Sequence, residues 1–358
     1  MSTLRVTAEL LTVHEHPNAD ALELAQVGLY RAVVAKGAYR SGDAAVYIPE
    51  QSVLPADLIE ELGLTGRLAG GESNRVKAVR LRGELSQGIV CRPQALADID
   101  LAQAAADGTD FAELLSITKW SPPIPPTMSG DVERAPDLLS WVDIENIQRY
   151  PEIFEPGEPV VITEKLHGSA CLLTYSGTDD GQGRVQVSSK GFGAKGLALT
   201  EDPRNLYWRA VLGHDVPAVA ARLAEKLGAS RVGIFGEVYG AGVQDLAYGT
   251  NARSEALGYA VFDVSAEIDG QVRWLEAAEL LEGELPLVPR LFEGPYDIDT
   301  VLELASGRET VSGRELHLRE GVVIRPAAER YSPVLGGRAI AKAVSPAYLT
   351  RKGGTEYE

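Results

Sequence analysis

The chain has 358 residues, 45% of them hydrophobic and 24% charged, which suits a globular protein of two domains of roughly 100–200 residues each. Its formal net charge of −17 excludes a protein that coats nucleic acid through an overall basic excess, but leaves room for a localised basic groove. The sequence has no apolar run of the roughly 18–20 residues that cross a bilayer and no signal-peptide pattern. Its only cysteines are Cys91 and Cys171, so we expect a cytoplasmic protein.

Residues 1–115 predict a small β barrel. Short runs rich in β-branched and aromatic residues alternate with turn signals such as HPNAD, YRSGD and GELSQG. The predicted strands are LRVTAELLTV, ELAQVGLYRAVVAK, DAAVYIP, RVKAVRLRG and QGIVCRP. Helices are predicted at 55–62 and 93–106. About five short strands in this length favour an oligonucleotide-binding (OB) fold, and we predict an OB-like nucleic-acid-binding module.

A basic strip lies within this module. Between positions 75 and 92 the basic residues far outnumber the acidic ones, of which Glu84 is the only example. If RVKAVRLRG is one strand, Arg75 and Lys77 lie on one face and Arg80 and Arg82 on the other, unless a bulge intervenes. Either pair is a candidate contact for a nucleic-acid backbone, and a solvated strand face is the alternative.

Residues 116–130 are predicted to be a linker, because the segment SPPIPPTMSGD is rich in proline. In residues 131–358 the predicted strands outnumber the helices and do not alternate with them. This pattern predicts an α+β domain of antiparallel sheets with flanking helices. Helices are predicted at 202–212, 216–227, 274–281 and 298–305. The predicted strands are PVVITEKL, SACLLTY, RVQVSSK, RVGIFGEVY, EALGYAVFDVS, GVVIRP and RAIAKAV.

Five segments of this second domain carry candidate chemistry. In EKLHG, Lys165 follows a predicted strand and is a candidate nucleophile, which requires a lowered pKa because a protonated amine cannot attack. The other segments are IFGEVYG with Glu237, YAVFDV with Phe262, EGVVIRP with Glu320 and Arg325, and RAIAKAVS with Lys342. Each segment alone is explained by ordinary strand packing, although an unpaired buried lysine such as Lys342 is costly.

In this order, the five segments resemble the nucleotidyl motifs of the covalent nucleotidyltransferase superfamily, which includes ligases and mRNA capping enzymes. The EKxHG form with His167, and GAGVQ at 240–244, are similar to the RNA ligase 2 type. A barrel placed before the catalytic domain resembles the bacterial RNA ligases of the Deinococcus radiodurans type. The segment HPNAD is also similar to OB-type tRNA-binding modules, with a simple Asx-type turn as the alternative.

The resemblance implies an ATP-dependent RNA ligase that seals 3′-OH/5′-phosphate nicks through lysyl-AMP and AppN intermediates, with Mg²⁺ or Mn²⁺ as metal. It implies that Lys165 is the nucleophile, Lys342 contacts the α-phosphate and Glu320 binds the metal. The implied nucleotide site also holds Glu237 at the ribose, Phe262 stacked on adenine, and Glu164, Gly168 and Lys190. Arg325 is implied to lie near the nucleic acid. Related enzymes often have a second lysine where this chain has Val344.

The expected partner is nicked duplex RNA or an RNA/DNA hybrid, bound by a monomer that does not associate with membranes. The alternatives are an ATP-dependent DNA ligase or another covalent nucleotidyltransferase, and a non-catalytic OB-type RNA-binding protein. The presence of Lys165, Glu237, Glu320 and Lys342 together favours an enzyme.

Overall fold

A computed structural model of the chain describes residues 4–177, 183–250 and 256–355. The predicted α+β class is confirmed, with short strands in the N-terminal domain and two larger sheets in the C-terminal domain. Across the described ranges, no helix has the length and apolar character that a membrane crossing requires.

The N-terminal domain is built from short strands around two apolar clusters. Its elements are β1 (Thr7–Leu10), β2 (Thr12–Glu15), β3 (Leu22–Val27), β4 (Tyr30–Ala35), β5 (Ala44–Ile48), β6 (Ser52–Val53), α1 (Ala56–Glu61), β7 (Val79–Leu81), β8 (Glu84–Ser86), β9 (Ile89–Cys91), α2 (Leu101–Asp107) and β10 (Thr118–Lys119). One sheet has the order β1-β5-β9 and another the order β2-β3-β4. The predicted strand at 4–13 is therefore two strands, because the chain changes sheets at the buried Leu11.

The predicted helix at 93–106 is also divided. A single 3₁₀ turn covers Gln94–Leu96, and α2 begins only after Asp100. The Asp100 side chain accepts hydrogen bonds from the backbone N–H groups of Ala102 and Gln103, and this N-cap starts a new helix.

The prediction that the basic strip is one strand is wrong. Only β7 is a strand, and Arg75 and Lys77 precede it. Arg80 lies in β7, whereas Arg82 occupies the tight turn to β8 with φ of 51°. Arg75 and Lys77 therefore lie in the segment before β7, and the change in backbone direction falls between Arg80 and Arg82 rather than between the two pairs.

The segment predicted as a linker is partly structured. β10 pairs antiparallel with β6, so the start of 116–130 belongs to the N-terminal domain. Residues 121–130 contain neither strand nor helix, as their prolines predict. They are nevertheless anchored, because Met128 is fully buried in the core of the C-terminal domain.

The C-terminal domain contains two antiparallel-rich sheets. Its elements are β11 (Val132–Arg134), β12 (Glu145–Asn146), β13 (Pro159–Lys165), β14 (Ser169–Ser176), β15 (Arg184–Ser189), α3 (Lys190–Gly193), β16 (Leu197–Leu199), α4 (Leu206–Gly213), α5 (Val216–Leu227), β17 (Arg231–Tyr239), β18 (Gly258–Ile268), β19 (Gln271–Leu275), α6 (Ala277–Leu281), β20 (Arg290–Pro295), α7 (Ile298–Ala305), β21 (Gly321–Pro326), β22 (Tyr331–Ser332), β23 (Gly337–Arg338), β24 (Ala341–Val344) and α8 (Pro346–Leu349).

The larger sheet has the order β11-β16-β15-β14-β17-β18-β19, and α4 and α5 contribute to the core on it. The smaller sheet has the order β12-β24-β21-β13-β20. Two elements of this domain differ from those predicted from the sequence. Trp274 was predicted in a helix, but it lies in β19 and pairs with Ser265 of β18. The strand predicted at 255–265 begins at Gly258, and position 255 lies outside the described residues.

The two sheets approach each other where β13 leads into β14. Gly168 lies between them, and a Cβ atom there would come within 2.1 Å of the Val238 carbonyl oxygen on β17. Gly321, the first residue of β21, has the same constraint from the Ala343 carbonyl oxygen on β24, also at 2.1 Å. Only glycine permits these approaches, and the motif residues beside both glycines are thereby brought together.

The two domains are joined by direct contacts. The Arg149 guanidinium donates to Thr7 Oγ1 at 2.6 Å and to Glu9 Oε1 at 2.5 Å. It also lies 4.9 Å from the ring centroid of Tyr47, and the backbone N–H of Leu29 donates to the Gln148 carbonyl. These contacts hold the barrel against the sheet that carries β13, β21 and β24.

Candidate active site

A cavity of about 360 Å³ lies where the two sheets and the N-terminal domain meet. Lys165, Glu237, Glu320 and Lys342 all line it, as does Gly168. Lys165 ends β13 and pairs in register with Gly321, so Glu320 lies beside it. The structure therefore brings four of the predicted site residues to one cavity, although they are far apart in the sequence.

Lys165 and Glu320 form the centre of the cavity as an ion pair. The Lys165 Nζ atom lies 2.8 Å from Glu320 Oε1. Burial lowers the pKa of Lys165, but the nearby carboxylates of Glu320 and Glu237 outweigh it and raise the pKa above its usual value. The lowered pKa expected for a lysine nucleophile is therefore absent while Glu320 retains its charge.

Two neighbouring groups have pKa values shifted toward neutrality. Burial, opposed by Lys165, raises the pKa of Glu237 to about 8. Burial, reinforced by the repulsion from Lys165, lowers the pKa of Lys342 to about 8. Such shifts are typical of functional sites, because a structural role rarely requires several buried charges of both signs.

The N-terminal domain forms part of the same cavity wall. Lys77, Lys119 and Trp120 line it from that side. The Arg75 guanidinium lies 3.8 Å from the ring centroid of Trp120. Lys119 is close enough to Lys342 to help lower the pKa of that lysine, after burial and Lys165. The sequence analysis missed Lys119 and Trp120, because both lie in the segment that it treated as a connection.

His167 is buried beside the cavity, with hydrogen-bond partners that the sequence analysis also missed. Its Nε2 atom lies 2.7 Å from Asp245 Oδ1, and its Nδ1 atom lies 2.8 Å from the Tyr348 hydroxyl. His167 Nδ1 is also 3.8 Å from Glu320 Oε2. Asp245 directly follows the GAGVQ segment, which was the one available sequence signal for it.

Two predicted site residues are placed elsewhere. Glu164 alternates with Lys165 on β13, and its carboxylate accepts hydrogen bonds from the backbone N–H and the hydroxyl of Thr310. Arg325 is buried, donates to the Phe262 carbonyl and lies 3.7 Å from Asp263. Neither lines the cavity. Both side chains contact the protein's own groups, and the predicted contacts of Glu164 with nucleotide and of Arg325 with nucleic acid stay predictions.

Two other predicted residues, Phe262 and Lys190, do not line the cavity either. Phe262 is half-buried and is the extra residue of a β-bulge, since Phe235 pairs with Asp263 and Gly236 with Val261. Lys190 begins α3, and its Nζ atom lies 2.9 Å from Asp143 Oδ1. It is close enough to Glu237 to oppose the rise in the pKa of that carboxyl.

The exposed part of the basic strip is a braced hairpin. Arg80 and Arg82 are exposed near the turn between β7 and β8. The Asn18 side chain donates to the Arg82 carbonyl at 3.1 Å, and His16 Nε2 lies 3.2 Å from the Leu81 carbonyl oxygen. The HPNAD segment is thus not a simple Asx turn, because its side chains hold the hairpin that presents the two arginines.

The donor set of the cavity fits a metal that is mostly bound by water and substrate. The described residues include no cluster of three or more His, Cys, Asp or Glu side chains suited to hold an ion. Of the glutamates that line the cavity, Glu320 is the one that forms an ion pair with Lys165. One carboxylate with several waters and substrate oxygens is a usual arrangement for Mg²⁺.

Comparisons with known proteins found a family match for each domain. The RNA ligase family model matches residues 158–344, and an OB-fold domain model matches residues 4–93, which confirms the predicted N-terminal barrel. No curated protein matches the chain in sequence.

Solved structures of the Naegleria gruberi RNA ligase are similar at 25% identity. An arginine-to-alanine variant with ATP and Mn has a TM-score of 0.77 and covers 97% of this chain and 98% of that chain. A lysine-to-methionine variant with AMP and Mn has a TM-score of 0.76, covering 96% and 97%. The enzyme with PPi has a TM-score of 0.75, covering 97% and 98%.

Proposed function

This chain belongs to the RNA ligase family, and from that premise we propose that it is an ATP-dependent ligase that seals 3′-OH/5′-phosphate nicks through lysyl-AMP and AppN intermediates. One observation carries the proposal. Lys165, Glu237, Glu320 and Lys342 meet in a single cavity that is large enough for a nucleotide. The full-length similarity to an RNA ligase with ATP and Mn supports the choice of nucleotide and metal.

The first step is attack by Lys165 Nζ on the α-phosphorus of ATP, with pyrophosphate as leaving group and loss of a proton from the amine. Glu320 opposes this while it is a bare carboxylate, because it stabilises the protonated lysine. Glu320 would hold a divalent metal, which would supply positive charge beside that carboxylate. Burial, which lowers the pKa of Lys165, then favours the neutral amine.

The other cavity residues position ATP. Lys342 is half-buried and lines the cavity, and with a pKa of about 8 it carries a proton at neutral pH and stabilises charge on the α-phosphate. Glu237 accepts hydrogen bonds from the ribose hydroxyls. Phe262 contributes a stacking surface for adenine from its bulge, which leaves the ring half-buried.

The missing second lysine is replaced from the other domain. Val344 lines the cavity at the position where related enzymes carry that lysine, and Lys77 and Lys119 line the N-terminal wall. We assign these two lysines to the phosphates that leave as pyrophosphate. This use of an OB module that precedes the catalytic domain is consistent with membership of the Deinococcus type.

Later steps require nucleic acid. AMP moves to the 5′-phosphate, and the 3′-hydroxyl then attacks that phosphate and releases AMP. We assign the contact with nicked duplex RNA or an RNA/DNA hybrid to Arg80 and Arg82 on the braced hairpin, because both are exposed and follow the basic stretch that enters the cavity. A monomer in the cytoplasm fits the two buried free thiols, Cys91 and Cys171.

The test of the proposed function is label transfer from ATP. Wild-type protein incubated with α-labelled ATP and Mg²⁺ or Mn²⁺ should retain label on a denaturing gel and seal a nicked RNA duplex. Lys165→Ala should do neither, because it lacks the amine. Lys165→Arg should also do neither, because the guanidinium stays protonated at working pH. Lys226→Met, at an exposed position on α5, is the control. A retained protein–AMP adduct in either Lys165 variant would refute the assignment.

A further inference from the structure

The His167 ring is fixed from two sides by residues distant in sequence. It is 4% exposed, and the Tyr348 hydroxyl meets Nδ1 while Asp245 meets Nε2. The backbone N–H of His167 donates to the Tyr248 hydroxyl at 2.6 Å. The ring also stands edge-on to the Tyr348 ring, with centroids 5.2 Å apart. A histidine that only fills space in a core needs fewer hydrogen-bond partners than these three.

Asp245 is in turn held by the C-terminal segment, residues 345–355. Arg351 donates to it through two nitrogens, Nε to Oδ2 at 3.1 Å and Nη2 to Oδ1 at 3.2 Å. The backbone N–H of Thr355 donates to Asp245 Oδ1 at 2.8 Å. Burial alone would raise the pKa of Asp245, but the hydrogen bonds from His167, Arg351 and Thr355 bring it far below its usual range. Asp245 is therefore a permanent anion behind His167.

We propose that Asp245, Tyr348 and Arg351 are positioning residues that fix the tautomer and orientation of His167 for the ligation reaction, so that the segment 345–355 completes the active site. This inference rests on the proposed function.

These hydrogen bonds determine the tautomer of His167 and the direction in which its ring nitrogens point. Asp245 Oδ1, 2.7 Å from His167 Nε2, can only accept, whereas Arg351 Nη2, 3.3 Å from the same nitrogen, can only donate; the shorter contact places the hydrogen on Nε2. In the neutral ring, Nδ1 is then the acceptor for the Tyr348 hydroxyl. Nδ1 therefore points to the side where Glu320 Oε2 lies 3.8 Å away and Lys165 pairs with Glu320 Oε1.

The same segment is connected to the loop after Lys165 by a second route. Thr355 Oγ1 is 2.8 Å from Gln244 Oε1, and the Gln244 amide donates to the Gly168 carbonyl at 3.0 Å. Arg351 lies 3.7 Å from the ring centroid of Tyr348, which keeps that tyrosine in place. The segment thus contacts His167 directly and is linked to Gly168 through Gln244, so it is more than a surface extension.

The experiment compares D245N and Y348F with H167N. D245N keeps the size of the side chain, and Y348F removes only the hydroxyl. Three rates are measured separately at saturating ATP and metal: lysyl-AMP formation, AMP transfer to a 5′-phosphate nick, and sealing of a preadenylylated nick. D202N is the control, because Asp202 pairs with Arg204 through two nitrogens on the surface.

We expect D245N to slow, by about tenfold or more, the same steps that H167N slows, without changing the KM for ATP. Y348F should slow those steps to a smaller extent, and D202N should match wild type. In the H167N background, D245N should cause no further loss, since Asp245 acts through His167.

Full activity of D245N and Y348F, or full activity of H167N, would overturn the inference. Equal losses from D245N in the wild-type and H167N backgrounds would also overturn it, because they would indicate a general effect on folding. Failure of the proposed function is distinguishable, because wild type would then form no lysyl-AMP at all.

Discussion

We expect the charge of Lys342 to destabilise the fold at neutral pH. Its pKa is lowered from the usual 10.5 to about 8, with burial as the largest cause and repulsion from Lys165 next. A shift of one unit corresponds to about 1.4 kcal/mol, so the buried charge costs on the order of 3 kcal/mol below the folded pKa. We therefore expect Lys342→Met to stabilise the protein while it abolishes adenylylation.

The sign of the pH dependence follows from the direction of the shift. Because the folded pKa lies below the unfolded one, the cost is fully present below about pH 8 and fades as the pH rises from 8 toward 10.5. Lys342→Met should raise the free energy of unfolding by on the order of 3 kcal/mol at pH 6.5, which is about 6 °C or more in melting temperature for a domain of this size. The gain should approach zero near pH 10.

The assay is thermal and urea unfolding of wild type, Lys342→Met and the exposed control Lys226→Met across this pH range. The control should stay near wild type throughout, because Lys226 is exposed on α5. A Lys342→Met variant that is destabilised at pH 6.5, or stabilised equally at pH 6.5 and pH 10, would refute the reasoning. It would mean that the lysine packs or pairs favourably and that burial does not dominate its pKa.

Two further predictions concern the N-terminal domain. Lys119→Gln should raise the KM for ATP in lysyl-AMP formation by about tenfold, since it removes one phosphate contact. It should leave sealing of a preadenylylated nick unchanged. Lys36→Gln, on an exposed loop, is the control, and equal KM values for the two variants would contradict the assignment. Replacing Arg80 and Arg82 with serine should weaken binding of nicked duplex RNA and lower the salt slope by up to about two, measured by titration at several salt concentrations. Lysyl-AMP formation should be normal in that double variant, and an unchanged slope would remove the hairpin from the RNA interface.

Local patterns in the sequence were sufficient for the elements whose neighbours impose nothing unusual. α5 (Val216–Leu227) and α7 (Ile298–Ala305) have the predicted bounds, because their apolar spacing is helical and their ends carry Gly228 and the N-cap Asp297. Trp274 was placed in a helix because AAELL follows it, but pairing with β18 continues the strand to Leu275. Tertiary pairing here overrides local propensity.

The candidate site also contains residues that could be predicted from the sequence and residues that could not. Residues inside motifs, such as Lys165, Glu320 and Lys342, could be found because their segments occur in a recognisable order. Their partners could not, since Tyr348 lies 181 positions from His167 and the contact depends on the folded C-terminal segment. Lys119 was missed for a different reason. Strand β10 is two residues long and carries no periodic pattern, so only its pairing with β6 shows that it belongs to the barrel.

The distribution of charge explains why an acidic protein can hold a polyphosphate. The chain has a net charge of −17, yet Lys77, Lys119, Lys165 and Lys342 all line one cavity. Burial is the largest cause of the low pKa of Lys342, and repulsion from Lys165 and Lys119 adds to it, while Glu145 and Glu320 oppose it. A bound triphosphate would satisfy lysines from both domains at once. A polyphosphate in this cavity therefore offsets both the burial of the Lys342 charge and its repulsion by Lys165, and couples nucleotide binding to the contact between the domains.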